Sequence, residues 1–166
     1  MWSDGAVKLL RNSNAKLRAY VVHDARVVRD EQATLEALAR GEIDSTVYLD
    51  EDVLFQRPAP VGGDDSVTLT SDRPNEVIVD ASLGSPGFLV LSDSYYPGWK
   101  VYVDGKEEKL LKADFMLRAV QLSDGRHQIR FSYEPLSYIA GMALSVLGLV
   151  LVVTIPLLRR NLPICH

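Results

Sequence analysis

The sequence predicts a mainly β chain with a small α+β portion: an antiparallel β-sandwich, preceded by a β-α-β unit and followed by one transmembrane helix. Three observations carry this expectation. Short alternating apolar segments separated by turn residues fill positions 66–134, the rhythm of a two-sheet antiparallel fold. A stretch with a helix start and stop lies between two β-prone segments within 16–50. An uncharged, mostly apolar run occupies 135–158. The expected organisation is a small β-α-β unit over 1–50, a linker over 51–65, a sandwich of the jelly-roll or immunoglobulin-like kind over 66–134, a membrane helix over 136–158 and a tail over 159–166. At 166 residues the chain has room for one main core and an appendage.

In the first segment, "KLRAYVVHD" carries a β-prone core at 20–22. Asp30 suits the N-cap of the helix "EQATLEALAR", whose apolar face would be Leu35, Leu38 and Ala39, and Gly41 suits its left-handed stop. "STVYLD" returns as a strand, so the unit reads β-α-β, packed on the edge of the main sheet. It has no glycine-rich phosphate loop. Residues 51–65 combine two prolines, adjacent glycines and scattered acids, a linker composition. The spacing of Asp50, Glu51, Asp52, Asp64 and Asp65 does not match a calcium loop and reads as a solvated rim.

From Ser66 onward come "SVTLTS", "NEVIVDAS", "GFLVLSDS", "GWKVYV", "DFMLRAVQL" and "HQIRFSYE". Trp99, Val101 and Val103 alternate with Lys100 and Tyr102, which assigns the first three to one sheet face. His127, Ile129, Phe131 and Tyr133 share another such face. Asp104-Gly105 and Asp124-Gly125 are hairpin dipeptides, and Pro97-Gly98 favours a type II turn. Tyr95 and Tyr96 flank that turn and are expected half exposed.

The run at 135–158 is long enough for a hydrocarbon core of about 30 Å. Gly141, Ser145 and Gly148 place small residues on one helical face, where a second membrane helix can approach. Pro156 is tolerable in lipid when neighbouring groups satisfy the carbonyl it frees. Tyr138 suits one interface, and Arg159 with Arg160 marks the cytoplasmic end by the positive-inside rule. Everything before Ser137 is then expected outside the cytoplasm. The opening residues lack the apolar core of a signal peptide, so the expectation is the end of a longer polytopic membrane protein.

Several function classes are set aside. Lys and Arg number 18 against 22 Asp and Glu, a net charge of −4 that leaves no basic footprint for nucleic acid. Cys165 is the single cysteine, so an intrachain disulfide and CxxC metal chemistry are both excluded. His23, His127 and His166 stand far apart in no ligand motif, so no metal and no cofactor is expected.

The stretch "GFLVLSDSYYPGWKVYVDGKEEKLLKADFMLRAVQLSDGRHQIRFSYEP", followed at once by a span bearing Gly141 and Ser145, resembles the C-terminal region of the YfhO family of bacterial polytopic membrane proteins. The resemblance is specific over 87–148 and weaker over the β-α-β unit. It implies kinship with C-type glycosyltransferases, which use a polyprenyl-phosphate sugar outside the cytoplasm and in some cases glycosylate anionic envelope polymers such as lipoteichoic acid. The family's catalytic acid belongs to an early loop that this chain does not contain. No residue here inherits that role: Asp104 reads as a hairpin residue and Asp93 as a strand-end residue. Two readings follow for the sandwich. As an accessory to a membrane glycosyltransferase, it would hold acceptor polymer through Tyr95, Tyr96, Trp99, Lys100 and Arg118, with rings stacked on sugars and cations on phosphates. As a non-enzymatic structural or protein-interaction module anchored to membrane lipid, it would have Trp99 and Arg118 buried or paired and the two tyrosines packed on the last strand.

Overall fold

The computed structural model describes residues 2–3, 8–9, 15–41, 45–53 and 64–160. Strands β1 (Trp2–Ser3) and β2 (Lys8–Leu9) pair with each other. There follow β3 (Ala19–Val22), β4 (Asp24–Val27), helix α1 (Glu31–Ala39), β5 (Thr46–Leu49), β6 (Ser66–Arg73), β7 (Glu76–Leu83) and β8 (Gly87–Ser94). The chain continues through β9 (Trp99–Val103), β10 (Lys106–Glu108), β11 (Leu111–Ala113), β12 (Leu117–Leu122), β13 (Gly125–Tyr133) and helix α2 (Leu136–Arg160).

Two sheets face each other. One has five strands in the order β10-β9-β13-β7-β6, and the other has six in the order β3-β8-β12-β11-β5-β4. Their shared core takes alternate residues from both: Val77 and Val79 of β7, Ile129 and Phe131 of β13 and Val101 of β9 meet Leu89 and Leu91 of β8 and Val120 of β12. Trp99 and Val103 pack against this cluster, as the alternation of β9 predicts. β8 is buried on both faces, because Phe88 and Val90 belong to a second cluster with Val22, Val47, Leu49, Leu111 and Ala119. That double burial explains why "GFLVL" is continuously apolar rather than alternating.

The β-α-β unit is present with different partners from those expected. β3, at 19–22, pairs antiparallel with β8, while the parallel partner of β5 across the helix is β4. Strands from both sides of 51–65 therefore lie in one sheet, with β8, β12 and β11 between β3 and β5, and share a core. The Asp30 side chain accepts from the Gln32 N–H (2.9 Å) and Gly41 has φ +78°, as the helix signals predict. The buried residues of α1 are Thr34 and Ala37, not the expected face, and Leu35 and Ala39 are exposed. A nine-residue helix with its start fixed by the cap is turned by the flanking strands, not by its weak apolar stripe.

The turns separate into two kinds. Asp104 (φ +52°) and Gly105 (φ +84°) close the expected hairpin between β9 and β10. Asp124-Gly125 does not close one: β12 lies in the six-stranded sheet and β13 in the five-stranded sheet, so this dipeptide carries the chain across the sandwich. Pro97-Gly98 crosses likewise between β8 and β9. The proline-bearing segment 54–63 and the tail 161–166, with Cys165 and His166, lie outside the described residues.

β13 passes through Glu134 and Pro135 directly into α2, 25 residues long. Leu144, Leu149 and Val152 are each about two-thirds exposed, and Leu147, Val146 and Val150 about half. Counted over the described residues, no helix is long and apolar enough to cross a membrane; side chains of α2 are described without interruption only over 140–152.

Candidate functional site

The aromatic stretch lies where the sandwich meets α2. The Tyr96 carbonyl accepts from the Trp99 N–H (3.3 Å) and Gly98 has φ +103°, the bond and the conformation of a turn with Pro97 and Gly98 at its centre. The Gly98 carbonyl accepts from the Glu134 N–H (2.6 Å). A Cβ on Gly98 would lie 3.2 Å from Pro135 Cα and 3.0 Å from the Tyr133 ring, so glycine is what lets the turn lie against the root of the helix. Between residues 97–100 and 134–137 there is a groove of about 410 Å³.

Of the five residues singled out in the sequence, the structure brings Trp99 and Arg118 into contact. The Arg118 guanidinium lies 3.9 Å from the centroid of the Trp99 ring, and the Tyr133 ring tilts against Trp99 at 5.3 Å. Arg118 is buried, with its Nη2 donating to Asp93 Oδ2 at 3.1 Å and its Nε and Nη1 without a hydrogen-bond partner among the described residues. Burial pushes the Arg118 guanidinium below an arginine's ordinary pKa; Asp93 opposes that shift and nearby Arg18 adds to it. Lys100 points away from this pair, on the outer face of β9, where its Nζ donates to Glu107 (3.1 Å) and lies 3.8 Å from Glu134. The hydrogen bond to Glu107 holds the Lys100 ammonium above its usual pKa. Tyr95 and Tyr96 are exposed and are not packed away on β13.

Asp93 is the centre of an ion network that the sequence did not announce. Arg18 grips both its oxygens, Nε to Oδ1 and Nη2 to Oδ2 at 3.0 Å each, and its Nη1 reaches Asp72 at 2.5 Å. The hydrogen bonds to Asp93 and then Asp72 raise the pKa of Arg18. Asp93 is thus shared by two arginines, one just before β3 and one on β12. No local pattern signals this, because the partners are 75 and 25 positions away. Asp104 is engaged by His127 Nδ1 (2.7 Å) and by the Gln128 N–H (2.9 Å), which hold its carboxyl below the usual range. Glu134 accepts from the Tyr102 hydroxyl at 3.2 Å. Among the described residues no group of three or more His, Cys, Asp or Glu is placed to hold a metal ion.

The family model described as bacterial membrane protein YfhO matches residues 61–145, half of the chain. The chain belongs to the YfhO family. The match runs from the segment before β6 through every strand of the five-stranded sheet and into the first turns of α2. It therefore covers the aromatic turn, Asp93, Arg118 and the junction with the helix. No curated protein and no solved structure matches the chain. Within a YfhO-family membrane protein, the geometry offers two exposed tyrosines, a tryptophan backed by a buried cation and an ammonium beside a shallow groove. Such a surface can take apolar ring faces, while the Lys100 ammonium is already met by Glu107 and Glu134.

Proposed function

We propose that the chain is the extracytoplasmic sandwich and final membrane helix of a polytopic YfhO-family protein, with residues 159–166 in the cytoplasm. In this reading the sandwich is an accessory to sugar transfer from a polyprenyl-phosphate carrier to an anionic envelope polymer, covering the outer mouth of the membrane portion. The observation that carries the reading is the surface of α2. Leu, Val and Met side chains at consecutive positions are exposed around the helix, which follows the last strand with a two-residue connection. Water is a poor solvent for such a surface, and a hydrocarbon core is a good one. The helix of 25 residues, at about 1.5 Å per residue, exceeds the hydrocarbon thickness. Its sequence is uncharged up to Arg159.

An accessory rather than a catalytic part fits the acids at the aromatic turn, its hairpin and the helix root. Asp93, Asp104 and Glu134 each hold cations, hydroxyls or backbone groups that fix strands to one another, whereas a general acid needs a carboxyl free to give its proton to the bond being broken. Trp99 and Lys100, which line the groove beside the helix root, are the residues on which acceptor polymer would lie, with Arg118 supporting Trp99 from beneath and Tyr95 and Tyr96 flanking the site. The second reading, a membrane-anchored structural or protein-interaction module without a ligand, is favoured by Arg118 itself, whose charge is directed to Asp93 and not to solvent.

Thiol labelling tests the sidedness. In intact cells producing the protein with Cys165→Ser and Asp124→Cys, a membrane-impermeant maleimide should label position 124 before lysis. Labelling only after lysis would place the sandwich in the cytoplasm and overturn the reading. Deletion of the gene should remove sugar substituents from envelope polymers as read by mass spectrometry, and an unchanged glycan profile would leave only the structural module.

A further inference from the structure

Strand directions give the sandwich two unlike ends. β13 enters α2 at Tyr133, so the end containing Tyr133 faces the helix and the end containing Asp124-Gly125 is remote from it. Pairing of Trp99 with Tyr133 puts the start of β9 at the helix end, and the turn before it brings Tyr95 and Tyr96 there. The Tyr95 N–H donates to the Met116 carbonyl (2.6 Å), which adds the turn between β11 and β12. The Ser92 N–H donates to the Arg18 carbonyl (2.7 Å), which adds the residues just before β3. Of the large apolar side chains left exposed outside α2 among the described residues, four lie here, Leu17 at 72%, Tyr96 at 61%, Met116 at 49% and Tyr95 at 39%, whereas Val27, Leu35 and Leu69 stand elsewhere. A folded domain seldom leaves such side chains grouped in water without a partner for them. Beneath them the Arg18, Asp93 and Arg118 network ties β3, β8 and β12 together and fixes the ends of those strands.

We propose that this end of the sandwich is a membrane-contacting rim, with Leu17, Tyr95, Tyr96 and Met116 lodged at the headgroup level of the bilayer that α2 crosses. The inference rests on the membrane reading of α2 given above. Three features select lipid as the occupant. The rim lies at the end of the sandwich from which the chain enters the apolar helix, so a membrane around α2 brings headgroups toward it without any further docking step. Its residues are those that an interface favours: tyrosine rings with a polar tip, and flexible Leu and Met side chains. The connection from Tyr133 to α2 is only Glu134 and Pro135, and the Gly98 carbonyl accepts from the Glu134 N–H (2.6 Å), so the sandwich cannot stand far from the helix root. The rim would set the height and tilt of the sandwich, and the groove between 97–100 and 134–137 would open at the lipid surface, where a lipid-linked headgroup is presented.

The test is site-directed spin labelling of the full 166-residue chain in phosphatidylcholine–phosphatidylglycerol vesicles, in a Cys165→Ser background. Separate variants carry Tyr96→Cys, Met116→Cys, Asp124→Cys and Leu147→Cys, each with its circular dichroism spectrum compared with that of the parent chain. Power saturation with oxygen and a nickel chelate then reads depth. The expected result is a label at 147 in the hydrocarbon, labels at 96 and 116 within about 7 Å of the phosphate level, and a label at 124 in water. Labels at 96 and 116 as aqueous as the one at 124, with 147 in hydrocarbon, would overturn the rim and leave the span intact. Labels at 96 and 116 shielded from both reagents would show protein covering this end, and would also overturn it. A label at 147 outside the hydrocarbon would overturn the membrane reading and the rim with it.

Discussion

Arg118 has the lowest exposure of any charged side chain among the described residues, and its environment is only half satisfied: one carboxylate oxygen, one tryptophan face and two nitrogens, Nε and Nη1, without partners there. Removal of a partner from a buried ion pair leaves an uncompensated charge, whereas replacement of the charge by an apolar side chain removes the desolvation cost as well. The two sides of this pair therefore differ. Asp93→Ala strands Arg118 beside Arg18 and is expected to cost about 3–5 kcal/mol. Arg118→Met leaves Asp93 with its two bonds from Arg18, and a shape-conserving apolar swap of this kind is expected to cost less, about 1–2 kcal/mol. Urea midpoints followed by tryptophan fluorescence in detergent check this order; equal losses would show that the arginine's charge itself holds the sandwich together. Arg118 also shows the limit of local pattern. Alternation placed Trp99 in the core from sequence, but that an arginine lies against its face required β12 to be opposite β9, and no residue near either strand encodes that.

Elements were legible where a single period governs them. β6, β7, β8, β9 and β13 follow their apolar alternation or continuous apolar run, and the α1 cap and Gly41 stop follow side-chain chemistry. The short strands β10 and β11, "KEE" and "LKA", carry no period to read and exist because their neighbours offer them an edge. Gly98 and Gly105 make the same contrast among turns. Both have positive φ, but a Cβ at Gly98 meets Pro135 and Tyr133, while at Gly105 it meets open space. Gly105→Ala should carry only the conformational cost, about 1–2 kcal/mol. Gly98→Ala should exceed it, because a backbone atom of Pro135 cannot give way as a flexible side chain can. Urea unfolding of the two variants checks the order, and equal losses would show that the turn does not bear on the helix root.

At the scale of the molecule, the balance is between a sandwich with a closed double-faced core and a helix that buries little against it. A charge near the middle of α2 should therefore leave the sandwich intact and disturb only insertion. Leu147→Arg is expected to cost about 2.5–3.5 kcal/mol of membrane insertion, read as a lower carbonate-resistant fraction, with the sandwich's near-ultraviolet spectrum unchanged. An unchanged carbonate-resistant fraction would argue that α2 lies in protein or water instead. The sequence by itself determined the longer strands of the sandwich, where the apolar run begins and ends, and the family to which the chain belongs, because periodicity, capping and charge are properties of neighbours along the chain. Only the tertiary structure decided which turn closes a hairpin and which crosses the sandwich, that β3 and β5 lie in one sheet on opposite sides of β8, β12 and β11, and that Asp93 joins two arginines. Those outcomes depend on contacts between residues tens of positions apart, whose free energy is settled by how the sheets stack and not by any local preference.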